Sequence, residues 1–228
     1  MIRLNDAYVT IQGEGVLTGT PMVLIRLQGC KVGCTFCDTK ETWHTEATDP
    51  GRQVQSLDVL QSVVPINCYA FVDEKHLAAR CREIGGNISW ALLTGGEPAE
   101  QDLAALVEEL HAVGFQVAIE TSGTALGHVD VGIEWICISP KFNQPGNRPF
   151  LMESLANCSE LKLVIGKEEH IKEAEAFVGR VRLFIKPWTE ISLQPISQSK
   201  KATQLCVEAC MRNNWRLSIQ SHKTIGMA

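Results

Sequence analysis

The chain has 228 residues, 45% of them hydrophobic and 21% charged, ordinary values for a globular protein long enough to bury a large core in one domain. Its net charge of −5 offers no basic footprint for nucleic acid or anionic lipid, so a small-molecule partner is favoured over either. No run approaches the roughly 18 apolar residues of a membrane span and no basic-then-apolar leader opens the chain, which makes the cytoplasm the expected location.

Near the start, Thr10-Ile11-Gln12-Gly13-Glu14-Gly15-Val16 reads as a glycine-punctuated loop. Residues 22–27 form a short aliphatic run suited to a strand buried on both faces, and it delivers Gly29 to Cys30-Lys31-Val32-Gly33-Cys34-Thr35-Phe36-Cys37-Asp38-Thr39. Three cysteines in eight residues point to a metal site, because soft thiolates select zinc, copper(I) or iron–sulfur clusters. A structural zinc site needs a fourth ligand, which His44 alone could supply, since no fourth cysteine is close. A [4Fe–4S] cluster held by three cysteines instead leaves one iron open to a small molecule. Three ordinary buried thiols are the remaining reading. The other cysteines, Cys68, Cys81, Cys137, Cys158, Cys206 and Cys210, are scattered and read as core thiols, with no disulfide framework.

Residues 45–86 look like a variable insertion, with a short helical pattern over 57–64 broken by Pro65 and a helix capped by Asp73 running to Ile84. Strand 88–93 then ends in Thr94-Gly95-Gly96-Glu97-Pro98. Two glycines there let a ligand approach the backbone, and Glu97 suits an ammonium, although a simple tight turn has the same composition. Beyond it come helix 101–113, strand 116–120 ending in Thr121-Ser122-Gly123, and strand 135–139 followed by Pro140-Lys141 and a Pro, Asn and Gly-rich loop over 142–149. Strand 161–165, helix 168–178, strand 191–194, helix 200–213 and strand 216–220 complete the chain, with Ser221-His222-Lys223 leaving the last strand. Strands alternating with helices imply an α/β fold with parallel strands, a (β/α) barrel or part of one, whose site gathers at the strands' C-terminal ends.

A C-x3-C-x2-C loop followed by a glycine-rich strand end resembles the radical S-adenosylmethionine (SAM) superfamily. Ile11–Gly15, Arg26, Cys30–Thr39, Thr94–Pro98, Glu120–Gly123, Ser139–Lys141, Gln194-Pro195 and Gln220–Lys223, met in that order, resemble the 7-carboxy-7-deazaguanine synthase family of the queuosine and 7-deazapurine pathway. The resemblance implies a single domain over residues 1–228, a partial (β/α) barrel of radical SAM type. It implies a SAM- and Mg2+-dependent conversion of 6-carboxy-5,6,7,8-tetrahydropterin to 7-carboxy-7-deazaguanine with loss of ammonia. It also implies a homodimer and an electron donor such as flavodoxin or ferredoxin.

Residue by residue, the resemblance gives the [4Fe–4S] cluster to Cys30, Cys34 and Cys37 and Mg2+ to Thr39. SAM falls to Phe36, Asp38, Gly96, Glu97, Ser122, Ser139, Pro140, Lys141 and Gln194, with a strand-end cap as the structural alternative for Ser139. The substrate falls to Ile11, Gln12, Gly13, Glu14, Arg26, Thr94, His222 and the chain end at Ala228. Glu14 suits the N–H donors of the pterin's amino-pyrimidinone edge, and the Arg26 guanidinium a carboxylate, that of the substrate or, structurally, of Glu41 or Asp38. No protein side chain is given the hydrogen abstraction, which belongs to SAM.

Overall fold

The structure, a computed structural model, describes residues 1–44 and 68–226, leaving out the side chain of Gln198. The helical pattern expected over 57–64, most of the expected insertion, and Ala228 lie outside the described residues. The strands are β1 (Ile2–Ile11), β2 (Pro21–Leu27), β3 (Ala70–Val72), β4 (Trp90–Gly95), β5 (Gln116–Thr121), β6 (Trp135–Ile138), β7 (Glu160–Ile165), β8 (Glu190–Pro195) and β9 (Arg216–Leu217). The helices are α1 (Glu74–Gly85), α2 (Ala104–Ala112), α3 (Glu168–Val181), α4 (Lys200–Asn213) and α5 (Ser221–Ile225).

All the strands join one sheet, in the order β3-β1-β2-β4-β5-β6-β7-β8-β9. From β2 to β9 every neighbouring pair is parallel, as a partial barrel requires. The expectation of parallel strands fails at one edge, where β1 runs antiparallel to both β2 and β3. The β1–β2 connection is too short to cross over, and it closes as a hairpin in which Gln12 N donates to Thr20 O at 2.9 Å. Part of the expected loop at residues 10–16 is therefore strand. Its alternation is broken at Asn5-Asp6, where the register with β2 shifts between Leu4 and Asp6, the mark of a β-bulge. No helix among the described residues is long and apolar enough to cross a membrane.

Alternation along the strands decides what faces where. Val23, Ile25 and Leu27 of β2, Ala91 and Leu93 of β4, Val117 and Ile119 of β5, and Leu161, Leu163 and Ile165 of β7 enter the main core with the helices. Their intervening neighbours face the other way. Low on that inner face Met22, Leu92 and Ala118 form a small apolar cluster. Nearer the C-terminal ends the same positions carry Arg26, Thr94, Glu120 and Lys162, which line a cavity. The strands are thus apolar on both faces only over part of their length.

Helices cover the outer face. In α1 the Asp73 carboxylate caps the first turn by accepting from His76 N, and Leu77, Ala78 and Cys81 are buried. Gly85 lets the helix end lie against β2, since a Cβ there would stand 2.7 Å from a Val23 methyl. In α3 Ile171, Ala174, Phe177, Val178 and Val181 make one inward stripe at helical spacing. Each fully buried large aliphatic side chain contributes about 1.5–3 kcal/mol.

Candidate active site

Beyond β2, Gln28 is buried and ties the cysteine loop shut. It accepts from Asn5 Nδ2 at 3.0 Å and donates to Glu41 O at 3.0 Å and His44 O at 2.7 Å. The end of β4 is laced to the loop's first residues, Gly96 N donating to Leu27 O at 2.9 Å and Glu97 N to Gly29 O at 2.7 Å. Glycine is required at 95 and 96 for this approach. Gly95 has φ +119°, and a Cβ on Gly96 would overlap Gly29 O and lie 2.7 Å from its carbonyl carbon. From the other side the loop over 142–149 packs on the cysteines, with Gly146 N donating to Val32 O at 3.1 Å and Thr35 N donating to Gln144 Oε1 at 3.0 Å.

Cys30, Cys34 and Cys37 line one wall of the cavity. Burial pushes the Cys30 thiol up to about 12 and raises Cys34 as well, with the Lys141 ammonium pulling Cys34 back down. Thr39 N donates to Cys37 Sγ at 3.4 Å, and the Thr39 hydroxyl lies 3.6 Å from the same sulfur. A backbone N–H aimed at a cysteine sulfur belongs to the surroundings that a thiolate-held cluster uses. Among the described residues no group of three or more His, Cys, Asp or Glu side chains is gathered as a ready-made metal site. Three thiols opening into one cavity are the donor set that a [4Fe–4S] cluster with one open iron takes.

Glu97 lines the cavity. Its side chain is largely buried in the cavity wall, where one oxygen accepts from Ala99 N at 3.1 Å and Thr121 Oγ1 at 2.5 Å. The other accepts from Ser122 N at 2.7 Å and from the Ser122 hydroxyl. Four donors fill the acceptor capacity of a carboxylate, so Glu97 fixes the ends of β4 and β5 against each other. Pro140 is buried and does not reach the cavity surface, whereas Ser139 and Lys141 do, with Lys141 Nζ donating to Ser139 Oγ at 2.6 Å.

A charged chain runs along the opposite wall. Lys162 Nζ donates to Glu14 Oε2 at 2.7 Å and to Glu120 Oε2 at 2.9 Å. Glu120 Oε1 accepts from Gln12 Nε2 at 3.0 Å, and Glu14 Oε1 from Gln220 Nε2 at 2.7 Å. Burial pushes the Glu14 carboxyl up, but the Lys162 charge and the hydrogen bonds of Lys162, Gln220 and Gln194 outweigh it and hold Glu14 at about 2. Burial likewise works against the Lys162 ammonium, and Glu120 and Glu14 reverse this, holding its value well above that of an ordinary lysine. Arg26 donates to the Tyr8 hydroxyl at 2.8 Å and makes no ion pair with Glu41, Asp38 or any other carboxylate of the described residues.

The C-terminal helix α5 crosses the rim. Ser221 N donates to Gly13 O at 2.9 Å, and Lys223 Nζ reaches Asp38 Oδ2 at 3.0 Å. The His222 ring lies against Gly13, where a Cβ would stand 2.6 Å from its Cγ. The cavity so enclosed has a volume of about 790 Å³, within the range of about 300–1,000 Å³ of small-molecule sites, and Ile11, Gln12, Gly13, Glu14, Arg26, Phe36, Asp38, Thr39, Thr94, Gly96, Ser122, Gln194 and His222 all line it. Lys162 and Tyr8 were not among the residues expected there, and Glu120 stood in a strand-end motif without a role of its own. Lys162 had a signal, a cation between Leu161 and Leu163 in an otherwise apolar strand.

No family model matches the sequence. The chain is 37% identical over 225 residues to the 7-carboxy-7-deazaguanine synthase of Escherichia coli strain K12, covering 99% of this chain and 98% of that one. It is 34% identical over 220 residues to the enzyme of that name from Buchnera aphidicola subsp. Schizaphis graminum, covering 96% of each. The crystal structure of QueE from Escherichia coli superposes with a TM-score of 0.86 at 35% identity, over 96% of this chain and 93% of that one.

Proposed function

The chain belongs to the 7-carboxy-7-deazaguanine synthase family, and we propose how its cavity performs the conversion that defines the family. It is a radical SAM lyase of queuosine biosynthesis, turning 6-carboxy-5,6,7,8-tetrahydropterin into 7-carboxy-7-deazaguanine with release of ammonia. One observation carries the assignment of the site: the three thiols, the Gly95-Gly96 strand end, Arg26 and Glu14 all open into one cavity.

Cys30, Cys34 and Cys37 would hold the cluster, and SAM would lie between the cysteine loop and the strand ends. When bound, cluster and SAM supply the one-electron chemistry that takes a hydrogen atom from C6 of the pterin. The chain's own residues bind, orient and keep water out. Arg26, bonded to the Tyr8 hydroxyl and opposite Asp6 on β1 without an ion pair to it, keeps donors to grip the substrate carboxylate through its planar fork. Glu14, held ionised, accepts from the N–H groups of the amino-pyrimidinone edge, and Thr94 adds a hydroxyl. Substrate is thereby oriented with its carboxylate toward β2 and its pyrimidinone toward β7.

Lys141 puts a cation beside Cys34 and Phe36, its Nζ 5.9 Å from the Phe36 ring centroid, where the carboxylate of SAM needs one. Ser139 fixes that ammonium. Glu97 acts by holding Ser122 and the Gly95-Gly96 backbone in place. Thr39 is the proposed protein ligand of Mg2+; one neutral oxygen facing the cavity leaves coordination positions for water and substrate oxygens. Family membership supports a homodimer, a one-electron donor such as flavodoxin or ferredoxin, and work in the cytoplasm.

The test is anaerobic: iron-reconstituted protein, dithionite, SAM, Mg2+ and 6-carboxytetrahydropterin, with mass spectrometry for 7-carboxy-7-deazaguanine. Product in excess of the SAM supplied is the expected result. 5′-Deoxyadenosine without that product would leave the radical chemistry standing and remove the substrate.

A further inference from the structure

Lys162 has no part in the roles above, yet it is the most constrained cation in the cavity, with a side chain 2% exposed. It projects from the inner face of β7 toward Glu120 on β5, Glu14 on the β1–β2 connection and the Cys137 thiol on β6. Glu160, the next inward residue on the same strand, is taken up elsewhere, accepting from Ser192 Oγ at 2.5 Å and Val16 N at 3.0 Å. One ammonium between two carboxylates leaves the Lys162–Glu14–Glu120 cluster with one net negative charge. Arg26 puts a positive charge on β2, at the other side of the cavity.

The acceptor geometry narrows the ligand. Lys162, Gln220 and Gln194 all bond to Glu14, whereas Glu120 takes only Lys162 on Oε2 and Gln12 on Oε1, so each Glu120 oxygen keeps one further acceptor direction beside the one left on Glu14. Two adjacent free acceptors match two adjacent N–H donors, such as the ring N–H and exocyclic amine of a 2-amino-4-oxopyrimidine. We propose that Lys162 is a positioning residue that makes this end of the cavity selective for a 2-amino-4-oxopyrimidine ring, by clamping Glu14 and Glu120 as a fixed anionic pair. The inference rests on the substrate reading given above. Remove the cation, and two buried carboxylates face each other without compensation; one takes a proton and turns from acceptor to donor. The amine of the ring then meets a mismatched partner.

Cluster-loaded protein with SAM, kept anaerobic, is titrated with two fluorescent probes, 6-carboxypterin and 6-carboxylumazine, in which an oxygen replaces the 2-amino group. Unchanged protein should prefer the pterin by about a hundredfold, the cost of setting an acceptor against a buried acceptor. It should keep that preference from pH 8 to pH 6. Lys162→Met should lose about tenfold or more in pterin affinity, bring the preference below about tenfold, and bind the pterin more weakly as pH falls. Lys162→Arg, which retains the charge, should keep most of the preference. Cluster absorbance and circular dichroism report whether each variant is folded and loaded. Should Lys162→Met not fold, Lys162→Gln keeps N–H donors toward the carboxylates and is judged by the same criteria. A folded neutral variant that discriminates like the unchanged protein, with the same flat pH response, overturns the role of Lys162. If the unchanged protein binds neither probe and makes no product, the substrate reading has failed, and this inference with it.

Discussion

Gly96→Ala tests whether the first cysteine is placed by backbone contact with the end of β4. The added methyl overlaps Gly29 O and stands 2.7 Å from its carbonyl carbon, where carbon atoms settle at about 3.5–4.0 Å. Both neighbours are backbone, so the peptide entering Cys30 has to retreat by about 1 Å. That retreat also breaks the 2.7 Å bond from Glu97 N to Gly29 O. Gly96 is not among the residues with positive φ, so steric displacement is isolated from dihedral strain. Overpacking of this kind costs about 1–3 kcal/mol and the lost hydrogen bond about 1 kcal/mol, together a fall in Tm of about 5–15 °C for a chain of this length. A displacement of about 1 Å at a reacting group also lowers turnover by about a hundredfold. Iron content, calorimetric Tm and anaerobic product formation are measured together. Gly179→Ala is the control: it lies inside α3 with nothing within 4 Å of its added methyl, and should gain up to about 1 kcal/mol from helix propensity. Native iron content, rate and Tm in Gly96→Ala would show that the two strand ends are not locked together.

Three further outcomes follow from the same contacts. Glu97→Gln turns an amide N–H2 toward buried donors and should cost about 3 kcal/mol in thermal or urea unfolding, with Ser122 released; an unchanged midpoint would show that the four bonds are dispensable. Lys223→Ala breaks a pair with exposed partners and should change stability by less than about 1 kcal/mol while raising KM for substrate or SAM, because it frees α5 from Asp38; unaltered kinetics would remove α5 as part of the site. Glu14, held at about 2 against its ordinary 4.5, contributes stability above the higher value, and this is lost as pH falls toward the lower. The stability difference between unchanged protein and Glu14→Gln should therefore shrink from pH 5 to pH 2, and a constant difference would contradict the ion pair with Lys162.

The parallel part of the sheet was legible because each strand is an apolar run stopped by glycine or a polar motif. Residues 22–27 lie wholly within β2 and 90–93 of the expected strand 88–93 within β4, and Asp73 and Ser199 cap α1 and α4 as their side chains allow. β1 escaped notice for a local reason: Asn5-Asp6 interrupts the period that marks a strand, and the buried Asn5 amide is explained only by distant partners, Gln28 and Cys68 O. β3 is three residues long and has no pattern to read. Helix α5 is short and polar, and nonlocal bonds to Gly13 and Asp38 hold it.

The site divides along a similar line. Residues that face ligand stand in contiguous motifs, so Cys30, Arg26 and Thr94 could be named from the chain alone. Residues that hold those groups in place are joined to them across the fold: Lys162 is 148 positions from Glu14, and Gln144 is 109 from Thr35. Even so, strand parity carries part of that information. Leu161, Leu163 and Ile165 fill the outer core, which commits Lys162 to the inner face, just as Ile25 and Leu27 commit Arg26 and Val117 and Ile119 commit Glu120. A charge at an inward position of a parallel strand has no water to turn to and must meet an opposite charge or a ligand. On that rule Lys162 and Glu120 answer each other, two strands apart, while Arg26, opposite Asp6 across β1 and β2 but bonded only to the Tyr8 hydroxyl, keeps donors for a ligand.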